Sequence, residues 1–93
     1  MSEALKPLRN EIDQLDRQIV DLLAQRADIV RRVVKVKNEH NIPVVIPERI
    51  NEVLDHVAGI AADKNLSPDV ARAIYKILID YACAMEKDII GRE

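Results

Sequence analysis

Apolar residues recur along the first part of the chain at Leu8, Ile12, Leu15, Ile19 and Leu22, and again at Ile29, Val33 and Val36. Steps of three and four are the period of an α-helix. Glycine is absent before Gly59 and no proline follows Pro7 until Pro43, so the pattern predicts one long helix over residues 5–39. Pro43 and Pro47 push the residues before them out of helical geometry, which predicts a loop over residues 38–46. Pro47 suits the first turn of a second helix, whose stripe is Ile50, Val53, Leu54, Val57 and Ile60. Asp63-Lys64-Asn65 reads as a turn. Ser67-Pro68-Asp69 then combines a capping hydroxyl, a proline at the first helical position and an acid in the first turn. A third helix is expected from there to near Ile90, ended by Gly91.

The expected fold is therefore all-α, three helices in a single domain over residues 1–93. The first helix constrains the assembly. At 1.5 Å per residue it forms a rod of about 50 Å, whereas a compact domain of this size has a radius of gyration of about 12 Å. Two shorter helices cannot cover such a rod. The same helix from a second copy is the simplest cover, which predicts an intertwined six-helix homodimer with sites built between helices.

The informative residues are charged ones standing where the stripe demands an apolar one. Four residues past Leu22 is Arg26, and four past Val33 is Lys37. At about 100° per residue, these two differ by about 20° around the axis, so both are expected to point into the helix interface. Arg31, Arg32 and Lys35 fall off that face and are expected in solvent. On the third helix Tyr75, Ile79, Ala82, Glu86 and Ile90 share a face, on which Glu86 is the ionisable group. Arg49 borders the second stripe, and Arg9 lies near the start of the long helix.

Buried cations without an anion cost several kcal/mol each. Internal salt bridges are the plain reading of any one of them. As a set, Arg9, Arg26, Lys37 and Arg49 face the single acid Glu86. That surplus suits a small dianion whose carboxylates are gripped by arginines in bidentate fashion.

Composition narrows the alternatives. With 14 basic and 16 acidic residues and a net charge of -2, the chain lacks the strongly basic character of a nucleic-acid binder. Tyr75 and Tyr81 are its only aromatic residues, too few for a base-stacking platform. Cys83 is the single cysteine, which excludes an intrachain disulfide and fits a reducing compartment. The start Met1-Ser2-Glu3-Ala4 has no leader character, and no stretch approaches the roughly 20 apolar residues of a membrane span. A cytoplasmic protein that binds no membrane is expected. Cys83 has no histidine near it in sequence, and His40 and His56 are expected to face solvent.

The segment Leu8-Arg9-Asn10-Glu11-Ile12-Asp13-Gln14-Leu15-Asp16 resembles the opening of the all-helical chorismate mutases. Leu22-Leu23-Ala24-Gln25-Arg26, Val34-Lys35-Val36-Lys37, Pro43-Val44, Pro47-Glu48-Arg49 and Ile77-Leu78-Ile79 continue the resemblance in order. It implies a three-helix protomer, an interlocked six-helix dimer and two equivalent sites. It implies a cofactor-free, metal-free Claisen rearrangement of chorismate to prephenate, a step in aromatic amino acid biosynthesis. By resemblance, Arg26 and Arg9 bind substrate carboxylates, with Arg9 reaching in from the partner protomer. Arg49 helps place the substrate, and Lys37 and Glu86 bracket the ether oxygen of the enolpyruvyl group. Such a site holds the substrate in its reactive shape and stabilises charge growing on that oxygen.

The chain departs from the family pattern at four positions. Glu86 stands where many relatives have Gln; a carboxylate there repels the ether oxygen, whereas a carboxylic acid donates to it. Ile46 and Ile50 stand where typical mutases carry acids that accept from the ring hydroxyl, and Ala82 replaces a small hydroxyl residue. The segment Ile46-Pro47-Glu48-Arg49-Ile50 is more similar to the isochorismate-pyruvate lyases, the salicylate-forming branch of the same fold. Mutase is the leading expectation and lyase the alternative. A non-catalytic helical dimerisation or ligand-sensing module is a third reading, one that needs neither Lys37 nor Glu86.

Overall fold

A computed structural model describes residues 3–91. Of the segment read above for leader character, Met1 and Ser2 lie outside the described residues. A short 3-10 turn, Glu3–Leu5, leads into α1, Lys6–Glu39. Pro7 sits in the first turn of α1, where its missing N–H costs no hydrogen bond. With 34 residues the helix is a rod of about 51 Å. The chain leaves it through His40, whose N–H donates to the Val36 carbonyl at 3.0 Å, and Asn41, which takes a positive φ of 56°. Asparagine tolerates that left-handed geometry better than a branched residue does.

Helix α2 spans Pro47–Asp63 and α3 spans Pro68–Ile90. Ile46 stands before α2 in extended geometry, as a residue preceding proline should. The turn between α2 and α3 closes with Leu66 N–H donating to the Ala61 carbonyl at 2.9 Å and Asn65 at a φ of 61°. Ser67 caps α3, its hydroxyl accepting from Val70 N–H at 3.3 Å. Gly91, at a φ of 77°, ends it in the left-handed conformation for which glycine is suited. The boundaries read from proline, glycine and serine thus agree with the structure.

Helix α3 is the shared element. It packs on α2 and on α1, while α1 and α2 make no close backbone approach to each other. The α2–α3 seam is built from Val57, Ala61 and Ala71, flanked by Val53 and Tyr75. Small residues let the two helices approach closely. On the other side Val34 is buried in α1 and Val44 in the loop.

The apolar stripe of α1 is bare. Leu8, Ile12, Leu15, Ile19, Leu22, Ile29, Val33 and Val36 are all exposed in the single chain. The radius of gyration is 16.8 Å, against about 12 Å for a compact domain of this length. The accessible surface is 7259 Å², against about 5,400 Å² for a closed monomer of this mass. Among the described residues there is no helix long and apolar enough to cross a membrane.

The Ser67 cap gives a direct check of the α3 boundary. Ser67→Ala should lower unfolding free energy by about 1 kcal/mol, measured by urea denaturation at fixed protein concentration. A change within error would mean that the hydroxyl does not hold the helix end.

Candidate functional site

Lys37 lies in the last turn of α1, two residues before its end at Glu39. Its side chain turns inward over α3 rather than out to solvent. The ammonium donates to Glu86 Oε1 at 2.8 Å and to the Val44 carbonyl at 2.8 Å. The Lys37 side chain is 14% exposed and that of Glu86 7%. Three elements meet at this nitrogen: α1, the loop at residues 40–46, and α3. The loop is brought to the site by Ile42 N–H, which donates to the Lys37 carbonyl at 2.8 Å.

An ammonium carries three N–H donors. Glu86 and Val44 take two, and no described residue takes the third. Glu86 likewise accepts through Oε1 alone among the described residues. The pair therefore keeps one donor and one carboxylate oxygen for something else.

Arg26 is half-buried, with its guanidinium carbon 5.5 Å from the centre of the Tyr75 ring. Stacking a guanidinium on an aromatic face occupies its plane and leaves its edge donors free for a planar anion. No described residue accepts a hydrogen bond from Arg26. A groove of about 310 Å³ follows the α1–α3 seam beside it. Arg26 and Ala82 border this groove with Leu23, Val30, Leu78 and Met85, so its surface is mostly aliphatic.

The other sequence-predicted residues are less closely joined. Ile46 and Ile50 are both half-buried and stand at i and i+4, with Ile50 N–H donating to the Ile46 carbonyl at 3.1 Å. Arg49 is exposed and paired with Glu52 of its own helix at 2.6 Å. It does not share Glu86 with the other cations, and a surface pair of this kind is worth little energy. Arg9 is exposed and lies 17 residues before Arg26, about 25 Å along the same rod. Within one chain it cannot join the site. Lys37 and Glu86 thus meet directly, Arg26 and Ala82 share the neighbouring groove, and Arg9 and Arg49 stand apart.

Two participants were not singled out from sequence. The Val44 carbonyl is a backbone atom, invisible to residue-type reasoning. Tyr75 was placed on the Glu86 face, but helical phase within α3 carries no signal of what α1 sets above it. Arg31, Arg32 and Lys35 are exposed, as their phase predicts, and so are His40 and His56.

Cys83 is half-buried on α3. Burial pushes its thiol up from an ordinary value of 9.0, and the Glu86 charge adds to the effect. It is therefore a thiol at neutral pH, and the thiol is a poor nucleophile. No group of three or more metal-ligating side chains occurs among the described residues.

Comparison with known proteins places this geometry. The profile of the family described as chorismate mutase type II matches residues 8–87. A chorismate mutase of Methanocaldococcus jannaschii is 30% identical over 90 residues, covering 97% of this chain and 91% of that protein. A 4-amino-4-deoxychorismate mutase of Streptomyces venezuelae is 33% identical over 89 residues, covering 96% and 86%. The T-protein of Haemophilus influenzae is 46% identical over 76 residues, covering 75% of this chain but 20% of its own length. The helical unit thus matches nearly all of some relatives and a small part of others, and the chain belongs to the chorismate mutase type II family.

Proposed function

We propose that this chain is a chorismate mutase, converting chorismate to prephenate without a cofactor. The observation that carries the reading is the inward-turned Lys37 ammonium, shielded with Glu86 and holding one uncommitted donor, in a chain whose family is known. The lone thiol favours a cytoplasmic setting.

The rearrangement breaks an ether C–O bond while a C–C bond forms within the same molecule. Negative charge grows on the ether oxygen as the bond lengthens. The third Lys37 donor meets that oxygen, in a position where little water competes, so its effect is larger than in bulk solvent. Arg26 grips a carboxylate with its free edge. The groove walls and Arg49 hold the extended molecule in the chair-like shape from which the ends meet. Nothing in this scheme needs a nucleophile, and the raised Cys83 thiol offers none.

A second copy completes the site. The bare stripe on α1 packs against its counterpart, and the partner's Arg9 brings the second cation that one chain cannot supply. This homodimer is supported by the area excess and by the 25 Å that separates Arg9 from Arg26 on one rod.

The apolar pair Ile46 and Ile50 favours a second reading, an isochorismate-pyruvate lyase, because neither side chain accepts from a ring hydroxyl. The family also includes proteins named for the 4-amino analogue. An assay with chorismate, isochorismate and 4-amino-4-deoxychorismate, with products identified, decides among these. Prephenate from chorismate as the most efficient conversion is expected. In that assay Lys37→Ala should lose about 10²–10³-fold in kcat. Unchanged turnover in the variant, with the fold intact by circular dichroism, would remove Lys37 from the reaction and leave a non-catalytic helical module.

The shared site has its own test. Arg9→Ala and Lys37→Ala homodimers should each be nearly inactive. After unfolding and refolding together, half the dimers are mixed and each holds one intact site, so activity should return to about a quarter of the parent level. No recovery in a mixture shown to exchange subunits would place Arg9 outside the partner's site.

Glu86 stands against the same ammonium. As a carboxylate it opposes charge on the ether oxygen; protonated, it donates to that oxygen. Glu86→Gln, always a donor, should change kcat at fixed pH, and a kcat identical to the parent's would refute this role.

A further inference from the structure

A second cleft, of about 460 Å³, lies between the C-terminal half of α1 and the end of α3. Arg31, Arg32, Lys35 and Asn38 line it from α1, and Ile89 and Ile90 from α3. Val34, 2% exposed, lies beneath it, and Asp28 also lines it. Its volume lies in the range of small-molecule sites, roughly 300–1,000 Å³. Neither its polar nor its apolar residues take part in the Lys37 site.

Its charge runs against that of the chain. The whole sequence carries a net charge of -2, yet three cations and one carboxylate meet here. Asp28 is engaged by Arg31 at 3.2 Å. Neither Arg32 nor Lys35 has an ion pair or hydrogen bond to another described side chain, although Asp28 and Glu39 stand at helical i±4 spacing from them. Two uncommitted cations beside exposed Ile89 and half-buried Ile90 ask for an anion with an apolar part.

The cleft also stays open in a dimer. At about 100° per residue, Arg31, Lys35 and Asn38 lie about 140–160° around α1 from the middle of its apolar stripe, and Arg32 about 100°. Lys37 is about 160° from Lys35 by the same count. A second copy seated on the stripe would leave this face in solvent, and a molecule bound at Lys37 would not reach it.

We propose that this cleft is a separate binding site for a small carboxylate carried on an apolar body. The carboxylate sits on Arg32 and Lys35, the former by its planar fork and the latter as a point charge. The apolar body lies on Ile89, Ile90 and Val34. Inorganic phosphate satisfies the cations but leaves the wall wet, and acetate is too short to cover it.

The test uses the full chain and three probes: 3-phenylpropanoate, acetate and inorganic phosphate, each titrated by amide NMR. The arylcarboxylate should give saturable shifts at residues 31–38 and 89–90, and bind at least about fivefold more tightly than acetate or phosphate, because only it buries the isoleucine wall. Lys35→Glu and Arg32→Glu, both on an exposed face, should each weaken it about tenfold or more while helix content and mutase turnover stay at the parent level. Ile89→Ser should weaken it while leaving acetate binding unchanged. The proposal is overturned by any of four results: no saturation, shifts centred on Arg26 and Glu86, indifference to the charge reversals, or equal affinity for all three probes. The binding readouts do not depend on which substrate the Lys37 site takes.

Discussion

A charge inside the helix interface has to be satisfied, and this constraint organises the site. Lys37 is the residue on which it falls. Its ammonium ties α1 to α3 through Glu86 and to the loop through the Val44 carbonyl. Removing either member of such a shielded pair leaves the other uncompensated, at a cost of roughly 3–5 kcal/mol. The loop conformation, the phase of α3 against α1 and the depth of the site are therefore not independent. The Ile42 N–H on the Lys37 carbonyl fixes the loop to the same residue from the backbone side. Replacing the pair with apolar residues would relieve the desolvation cost, so its retention fits a role beyond stability.

The long helix divides its circumference among three tasks. One face, near Val34, packs on α3. A second carries the bare aliphatic stripe, and the excess surface over a closed monomer is about 1,800 Å². Doubled for two chains, that is within the roughly 2,000–5,000 Å² that obligate dimers bury, which is why we favour a second copy as its cover. Arg26 and Lys37 lie at the border between these faces, where a cavity can be lined by both the chain's own α3 and a partner. The third face, with Arg31, Arg32 and Lys35, is left to solvent. One rod without glycine is suited to this division because its rigidity holds the faces in fixed phase along about 51 Å.

Most of this was legible from spacing. Helix limits follow from Pro7, Pro47, Ser67-Pro68 and Gly91, each acting through local backbone geometry that needs no tertiary information. The inward turn of Arg26 and Lys37 follows from helical phase alone, but which helix they face does not. What spacing could not give is pairing. Lys37 with Glu86 was one possible match among several cations and one acid; the structure gives Glu86 to Lys37, lays Arg26 on Tyr75 and leaves Arg49 with Glu52. Such choices depend on interhelical distance and rotamer, which periodicity does not encode. The Val44 carbonyl lay further out of reach, because any residue type presents the same backbone oxygen.

These partners also differ in how firmly they hold. Arg49–Glu52 is a surface pair between flexible side chains, broken at little cost. Arg26 rests on a ring face and keeps its hydrogen-bonding edge free. Lys37 is held on two sides and open on the third. The chain thus holds its cations on weak or partial partners, so that the dianion proposed as substrate would displace few strong bonds. In the proposed mechanism Arg26 and Arg49 turn to it with small loss, while Lys37 stays where it is and presents its third donor. That ordering, mobile grips at the carboxylates and a fixed charge where charge develops, is what differential stabilisation of a transition state requires. Glu86 is the exception, since its carboxylate both fixes Lys37 and opposes the charge that Lys37 would stabilise. The Val44 carbonyl holds Lys37 from a second side, so the place of the ammonium does not rest on the Glu86 carboxylate alone.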